Sequence, residues 1–130
     1  MVPAEPGKWT PKQIIGHLID SAANNHLRFV QAQFTEDLVF PGYQQDDWVT
    51  VQGYNDEPWI HLVTLWKSYN LHLAHVISRI PETTSEMPRA KHNLDRIAFR
   101  AVSQDQPVTL DYFMRDYLVH LRHHINQILT

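Results

Sequence analysis

Apolar residues recur at Ile14, Ile15, Leu18, Ala22, Phe29 and Val30, close to one per helical turn, which predicts an amphipathic helix. The residues ahead of it supply a start signal. Thr10 is a good N-cap, Pro11 suits the first helical position, and Gln13 completes a capping box with Thr10. This helix is expected to run to about Phe34. A second apolar series, Trp59, Leu62, Val63, Trp66, Tyr69, Leu73, Val76, Ile77 and Ile80, opens after Pro58 and stops at Pro81. Its aromatic members Trp59, Trp66 and Tyr69 read as core. A third starts at Thr109, with Asp111 in the first turn where the helix dipole favours an anion. Its expected buried arc is Leu110, Phe113, Met114, Tyr117, Leu118, Leu121, Ile125, Ile128 and Leu129.

Between these helices the pattern loses its period. Residues 35–58 contain Pro41, Gly42, Gly53 and Pro58 and read as a long connection, with Trp48 and Tyr54 pinning it to the body. Residues 81–108 are bracketed by Pro81, Pro88 and Pro107, and Leu94 to Val102 reads as either a short helix or an extended segment. No repeat or low-complexity tract is visible. Three long helices joined by long connections define an all-α helical bundle.

Composition narrows the possibilities. At 130 residues the chain is expected to form one domain, residues 1–130, large enough for one core. An apolar fraction of 43% with 19% charged residues is that of a globular protein. The formal charge of -3, without blocks of like sign, argues against nucleic acid or a membrane as partner. No apolar run is long enough to span a bilayer. The start, Met1 to Gly7, has neither the basic nor the apolar region of a secretion signal, so a cytoplasmic protein is expected. Cysteine is absent, so a metal would have to be held by histidine, carboxylate or water.

Nine histidines direct attention to metal or acid–base chemistry. His120 and His124 stand four apart on the third helix, within the row Phe113, Tyr117, His120, His124 and Ile128, so both imidazoles share one face. Such a pair can chelate a divalent metal if a facing helix supplies a third ligand. The candidate is His17, one turn inside the first helix and off the centre of its apolar stripe, which places it at the rim of the core. Three neutral imidazoles suit Zn(II) or Ni(II) and leave a position for water or substrate. A metal so held lowers the pKa of bound water or thiol. The competing readings are a chance pair in a histidine-rich chain, and a rim histidine at position 17 without a metal. His26, His61, His72, His75 and His92 read as solvated or capping residues. Asp20 could accept a hydrogen bond from a ligand histidine, but a solvated Asp20 is the simpler expectation.

The run Gly7-Lys8-Trp9-Thr10-Pro11-Lys12-Gln13-Ile14-Ile15-Gly16-His17-Leu18-Ile19-Asp20-Ser21 resembles the histidine-bearing helix of the DinB-like (DNA-damage-inducible) superfamily. Leu27-Arg28-Phe29, Thr35-Glu36-Asp37 and the stretch Tyr43 to Trp48 are similar to its bacillithiol-transferase-like branch of metal-dependent hydrolases. Tyr117 to Ile125 matches the C-terminal HxxxH helix of the family. The resemblance covers nearly the whole chain. It implies His17, His120 and His124 as metal ligands, in a four-helix bundle of up-down-down-up connection that is often dimeric. It also implies an activity class: thiol S-transfer or hydrolysis on a small electrophile, with a low-molecular-weight thiol as cosubstrate. The family name does not imply DNA repair. In one respect the chain departs from the family, whose members usually carry a further helix before the Gly-x-Trp-[Ser/Thr] start. Either that first helix is missing here, or a neighbouring subunit covers the face it would occupy, and a homodimer is expected.

The expectation is therefore a metal-dependent thiol transferase or hydrolase. No general base is assigned, and Asp20 and His123 are only sequence neighbours of the ligands. Two alternatives stand beside it: a non-catalytic metalloprotein in which the metal ties two helices together, and a degenerate relative without metal.

Overall fold

The structure, a computed structural model, describes residues 7–130. The segment 1–6, which belongs to the stretch judged for a secretion signal, lies outside the described residues. All regular structure among the described residues is helical: α1 (Pro11–Gln31), α2 (Gln45–Gln52), a 3-10 turn (Tyr54–Asp56), α3 (Trp59–Ser78), α4 (Glu82–Glu86), α5 (Leu94–Ile97) and α6 (Leu110–Leu129). No described helix is long and apolar enough to cross a membrane.

The three long helices form where the apolar periodicity places them. At the start of α1 the Thr10 hydroxyl accepts from the Gln13 backbone N–H at 3.2 Å, while Gln13 Oε1 accepts from the Thr10 N–H at 2.9 Å. Two of the helix's orphan donors are thus satisfied reciprocally. Thr109 caps α6 in the same way, its hydroxyl accepting from the Tyr112 N–H at 3.0 Å. α1 is the central helix, packed on α3, α6, α2 and the 3-10 turn. Residues 14–22 are consequently buried on every side, polar ones included.

The core divides along α1. Its C-terminal half contributes Ala22, Phe29 and Ala32 to a cluster with Leu73, Leu94, Leu110, Phe113 and Tyr117. Its N-terminal half packs Ile15, Leu18 and Ile19 against Val49, Tyr54 and Leu62. Tyr54 lies so close over Gly16 that a Cβ there would run into its ring. That approach brings the turn after α2 down onto the second turn of α1.

The connections hold more structure than their composition suggests. Residues 35–58 contain α2, an eight-residue helix ended by Gly53 in the left-handed region (φ 61°). Its mixed polar sequence carries almost no apolar period, and only Val49 is buried. Of the two readings of 94–102, the short helix holds for Leu94–Ile97 alone, and from Ala98 the chain is irregular, with a bend at Phe99 and Arg100. The outer connection is fastened by two isolated bridges, Leu38 with His92 and Arg89 with Val108.

On α3 and α6 the expected burial of apolar residues does not hold throughout. Only Leu62 and Leu73 are buried on α3, and Trp59 is exposed rather than core. On α6 burial ends near Tyr117, and Leu118 and Leu129 face outward. Helical period identifies an apolar stripe, but the covering element must also be present, and beyond α1 little covers these faces.

Candidate metal centre

His17 sits in the second turn of α1, facing the C-terminal half of α6. The helical rise and four-residue spacing of α6 place His120 and His124 one above the other opposite it. His17 Nε2 lies 3.2 Å from His120 Nε2. The His17 and His124 rings are 4.8 Å apart, and those of His120 and His124 4.6 Å, both edge to face. One nitrogen from each ring falls within 4.8 Å of the other two, an arrangement that could hold a metal ion. Imidazoles sharing one tetrahedral zinc place their donor atoms about 3.3 Å apart, so the His17–His120 separation already fits.

The protonation chemistry also fits a cation. Burial, followed by the charges of His120 and His124, lowers the His17 pKa from 6.5 to about 3. His120 is lowered to about 4, again first by burial and then by His124. Burial lowers His124 as well. All three rings are therefore neutral near pH 7, as metal ligands must be. Gln127 Oε1 accepts from His124 Nδ1 at 2.7 Å, which leaves the Nε2 lone pair for the cluster.

Aromatic rings wall the cluster. Trp9 packs on His17 at 4.8 Å between centroids and on His124 at 6.3 Å. Phe99 packs on His120 at 5.0 Å and His123 at 5.2 Å. Phe99 is held by Asp116, whose carboxylate accepts from the backbone N–H groups of Phe99 (2.8 Å) and Arg100 (3.0 Å) and from Arg100 Nε (2.9 Å). The cluster opens into a cleft of about 330 Å³ between α1 and α6, lined also by Ser21, Asn25, Arg28, Tyr43 and His123.

His17, His120 and His124 are thus brought together, but His17 is fully buried, not at a rim. Its Nδ1 is a buried atom without a hydrogen-bond partner. Asp20 is buried too, where solvation was expected. One carboxylate oxygen accepts from Tyr54 Oη at 2.7 Å and Gln52 Nε2 at 2.8 Å, and the other is buried without a partner. Burial raises the Asp20 pKa against the effect of those two bonds. His123 is exposed at the cleft mouth. Among the histidines expected to be solvated or capping, His61, His72 and His75 are exposed. His92 is buried, and it does cap: Nδ1 accepts from the Leu94 N–H at 3.1 Å, and Nε2 donates to the Gln106 carbonyl at 2.7 Å.

Sequence reasoning missed Asp116 and Trp9 as parts of the site. Asp116 was findable, since it stands one turn before His120 and continues the His120/His124 row. Trp9 lies ahead of the helix cap, where no periodic pattern places a side chain.

The model of the DinB superfamily matches residues 2–128, and the chain belongs to that superfamily. Its members are metal-dependent, in agreement with the histidine cluster. No curated protein and no solved structure matches the chain.

Proposed function

We propose that the chain, one domain over residues 1–130, is a cytoplasmic enzyme holding Zn(II) or Ni(II) through His17, His120 and His124. It acts on a small electrophile by thiol S-transfer or hydrolysis, as in the bacillithiol-transferase-like branch. The observation that carries this reading is the convergence of three neutral imidazoles, two of which, His120 and His124, line an open cleft. When bound, the metal would supply Lewis acidity, lowering the pKa of a thiol or water and polarising the electrophile. The residues of the chain supply position. Burial between Trp9 and α6 fixes the His17 ring, Gln127 sets the His124 tautomer, and Trp9 and Phe99 keep bulk water from two sides of the cluster.

We further read the protein as a homodimer. The support is the apolar surface left on α3, where Ile60 is 65% and Leu71 63% exposed.

Metal analysis of protein purified without a histidine tag tests the site. One equivalent of divalent metal is expected in the wild type and well under a tenth of that in His17→Ala and His120→Ala. Full metal content in both variants would overturn the assignment. The cluster also joins α1 to α6, so a purely structural metal is the rival. Thermal melts with chelator separate the two: a collapse of the fold on metal removal favours the structural role, whereas a folded metal-free protein that rebinds metal favours the enzyme.

A further inference from the structure

His17, Ser21, Asn25 and Arg28 follow steps of four, four and three along α1, so they share one face of the helix. The last three line the cleft into which the histidine cluster opens. Arg28 is only 6% exposed, yet no carboxylate pairs with it among the described residues. Its protein partners are neutral: Nη2 donates to the Pro41 carbonyl at 3.0 Å, and Nη1 reaches Asn25 Oδ1 at 3.5 Å. The guanidinium lies 5.9 Å from the centre of the Tyr43 ring. Nε has no protein partner and is not sealed from solvent, and Arg28 lines the shallower cleft beside Pro41 and Trp48 as well as this one. A second cation, Arg96, lines the same space. The carboxylate there, Asp116, is already engaged by Arg100 and two backbone N–H groups.

A buried guanidinium without a counter-charge is costly, and its planar fork matches a carboxylate or phosphate. The helical rise separates the Cα atoms of His17 and Arg28 by about 16 Å. The arginine side chain leans back toward the helix start, which shortens the span to the cluster to on the order of 10 Å.

We propose that Arg28 is the anchor of an anion subsite, binding a carboxylate or phosphate group on the substrate or thiol whose reacting end lies at the histidine cluster. This assignment rests on the proposed enzyme reading for its purpose, but anion binding can be measured apart from it. The ligand is elongated and anionic at one end. Ser21 and Asn25, between the two ends, offer hydrogen-bonding groups to its middle. Tyr43 and Arg96 close the anionic end.

The test is a titration of the full-length protein, metal-free and zinc-loaded, at a pH where the histidines are neutral. The probes are succinate, inorganic phosphate and the neutral diester dimethyl succinate, followed through the Arg28 Nε–H resonance, which is assigned by its loss in Arg28→Lys. Saturable shifts are expected with at least one anion and none with the diester, and the tighter anion identifies the group recognised. Calorimetry with Arg28→Gln should show binding weakened about tenfold or more, the loss of a charge-assisted hydrogen bond. Thermal melts establish that the variants are folded, and the wild-type comparison of acid with diester stands even if Arg28→Gln is not. Absence of a response to both anions, or undiminished binding by folded Arg28→Gln, would overturn the proposal. Failure of metal uptake with intact anion binding would instead count against the metal reading alone.

Discussion

At the scale of single residues, the chemistry of the centre follows from how completely α1 is enclosed. An imidazole at position 17 has no water to stabilise its cation and two further imidazoles beside it, so its pKa falls from 6.5 to about 3. His120 follows to about 4. This links the metal-free fold to pH. The folded pKa values lie below the unfolded ones, so between these limits the unfolded chain binds protons that the folded chain refuses. Stability is therefore full above about pH 6.5 and is lost progressively as the pH falls. Melting curves of chelator-treated protein should show the temperature midpoint dropping steadily from about pH 7 to about pH 5. His17→Phe, which removes the largest contribution, should flatten that dependence. A midpoint unchanged over this interval would refute the account. The metal-loaded protein should resist acid further, because bound metal competes with protons for the same lone pairs.

At the scale of elements, legibility tracked how local the determinant is. The start of α1 was readable because Thr10, Pro11 and Gln13 act within one turn. The HxxxH face of α6 was readable because four-residue spacing fixes it. α2 was not, since its sequence carries little apolar period and what seats it is a single buried Val49 and the neighbouring Tyr54 over Gly16. The role of Asp20 was hidden for the same reason, because its partners Gln52 and Tyr54 lie some thirty residues away. Arg89 is the extreme case. Its sequence context is a proline-bracketed loop, yet its side chain is 1% exposed at the end of α1. Nη1 donates to the carbonyls of Ala32 (3.3 Å) and Thr35 (3.0 Å), and Nη2 to that of Thr84 (3.2 Å). The cation thus meets the negative end of the helix and ties the 81–108 connection to it. Arg89→Met keeps the bulk but orphans these carbonyls. It should cost about 2–4 kcal/mol in denaturant unfolding, with little change in metal content. A loss under ~0.5 kcal/mol would mean that water replaces the guanidinium without penalty.

At the scale of the whole molecule, the layout is lopsided. α1 is enclosed, whereas α3 turns one row inward (Leu62, Trp66, Tyr69 and Leu73) and leaves Ile60 and Leu71, eleven residues apart on one face, largely in the open. Tyr117 Oη bonds to Asn70 Oδ1 at 2.5 Å and keeps α3 in register with α6, so the helix cannot roll to hide that face without breaking a bond to the α6 row that also bears His120 and His124. A second copy pairing through α3 would cover the apolar row without disturbing the centre. An interface of ordinary strength buries about 800 Å² per partner, which a helix of this length can supply with its flanks. Sedimentation velocity is expected to show a dimer for the wild type and a monomer for the double variant Ile60→Glu/Leu71→Glu. Because the histidine cluster lies on the α1–α6 side, the monomeric variant should still bind one metal per chain. A wild type that sediments as a monomer at micromolar concentration would remove the dimer. A monomeric variant that has lost its metal would place the interface much nearer the centre than the exposed row of α3 implies.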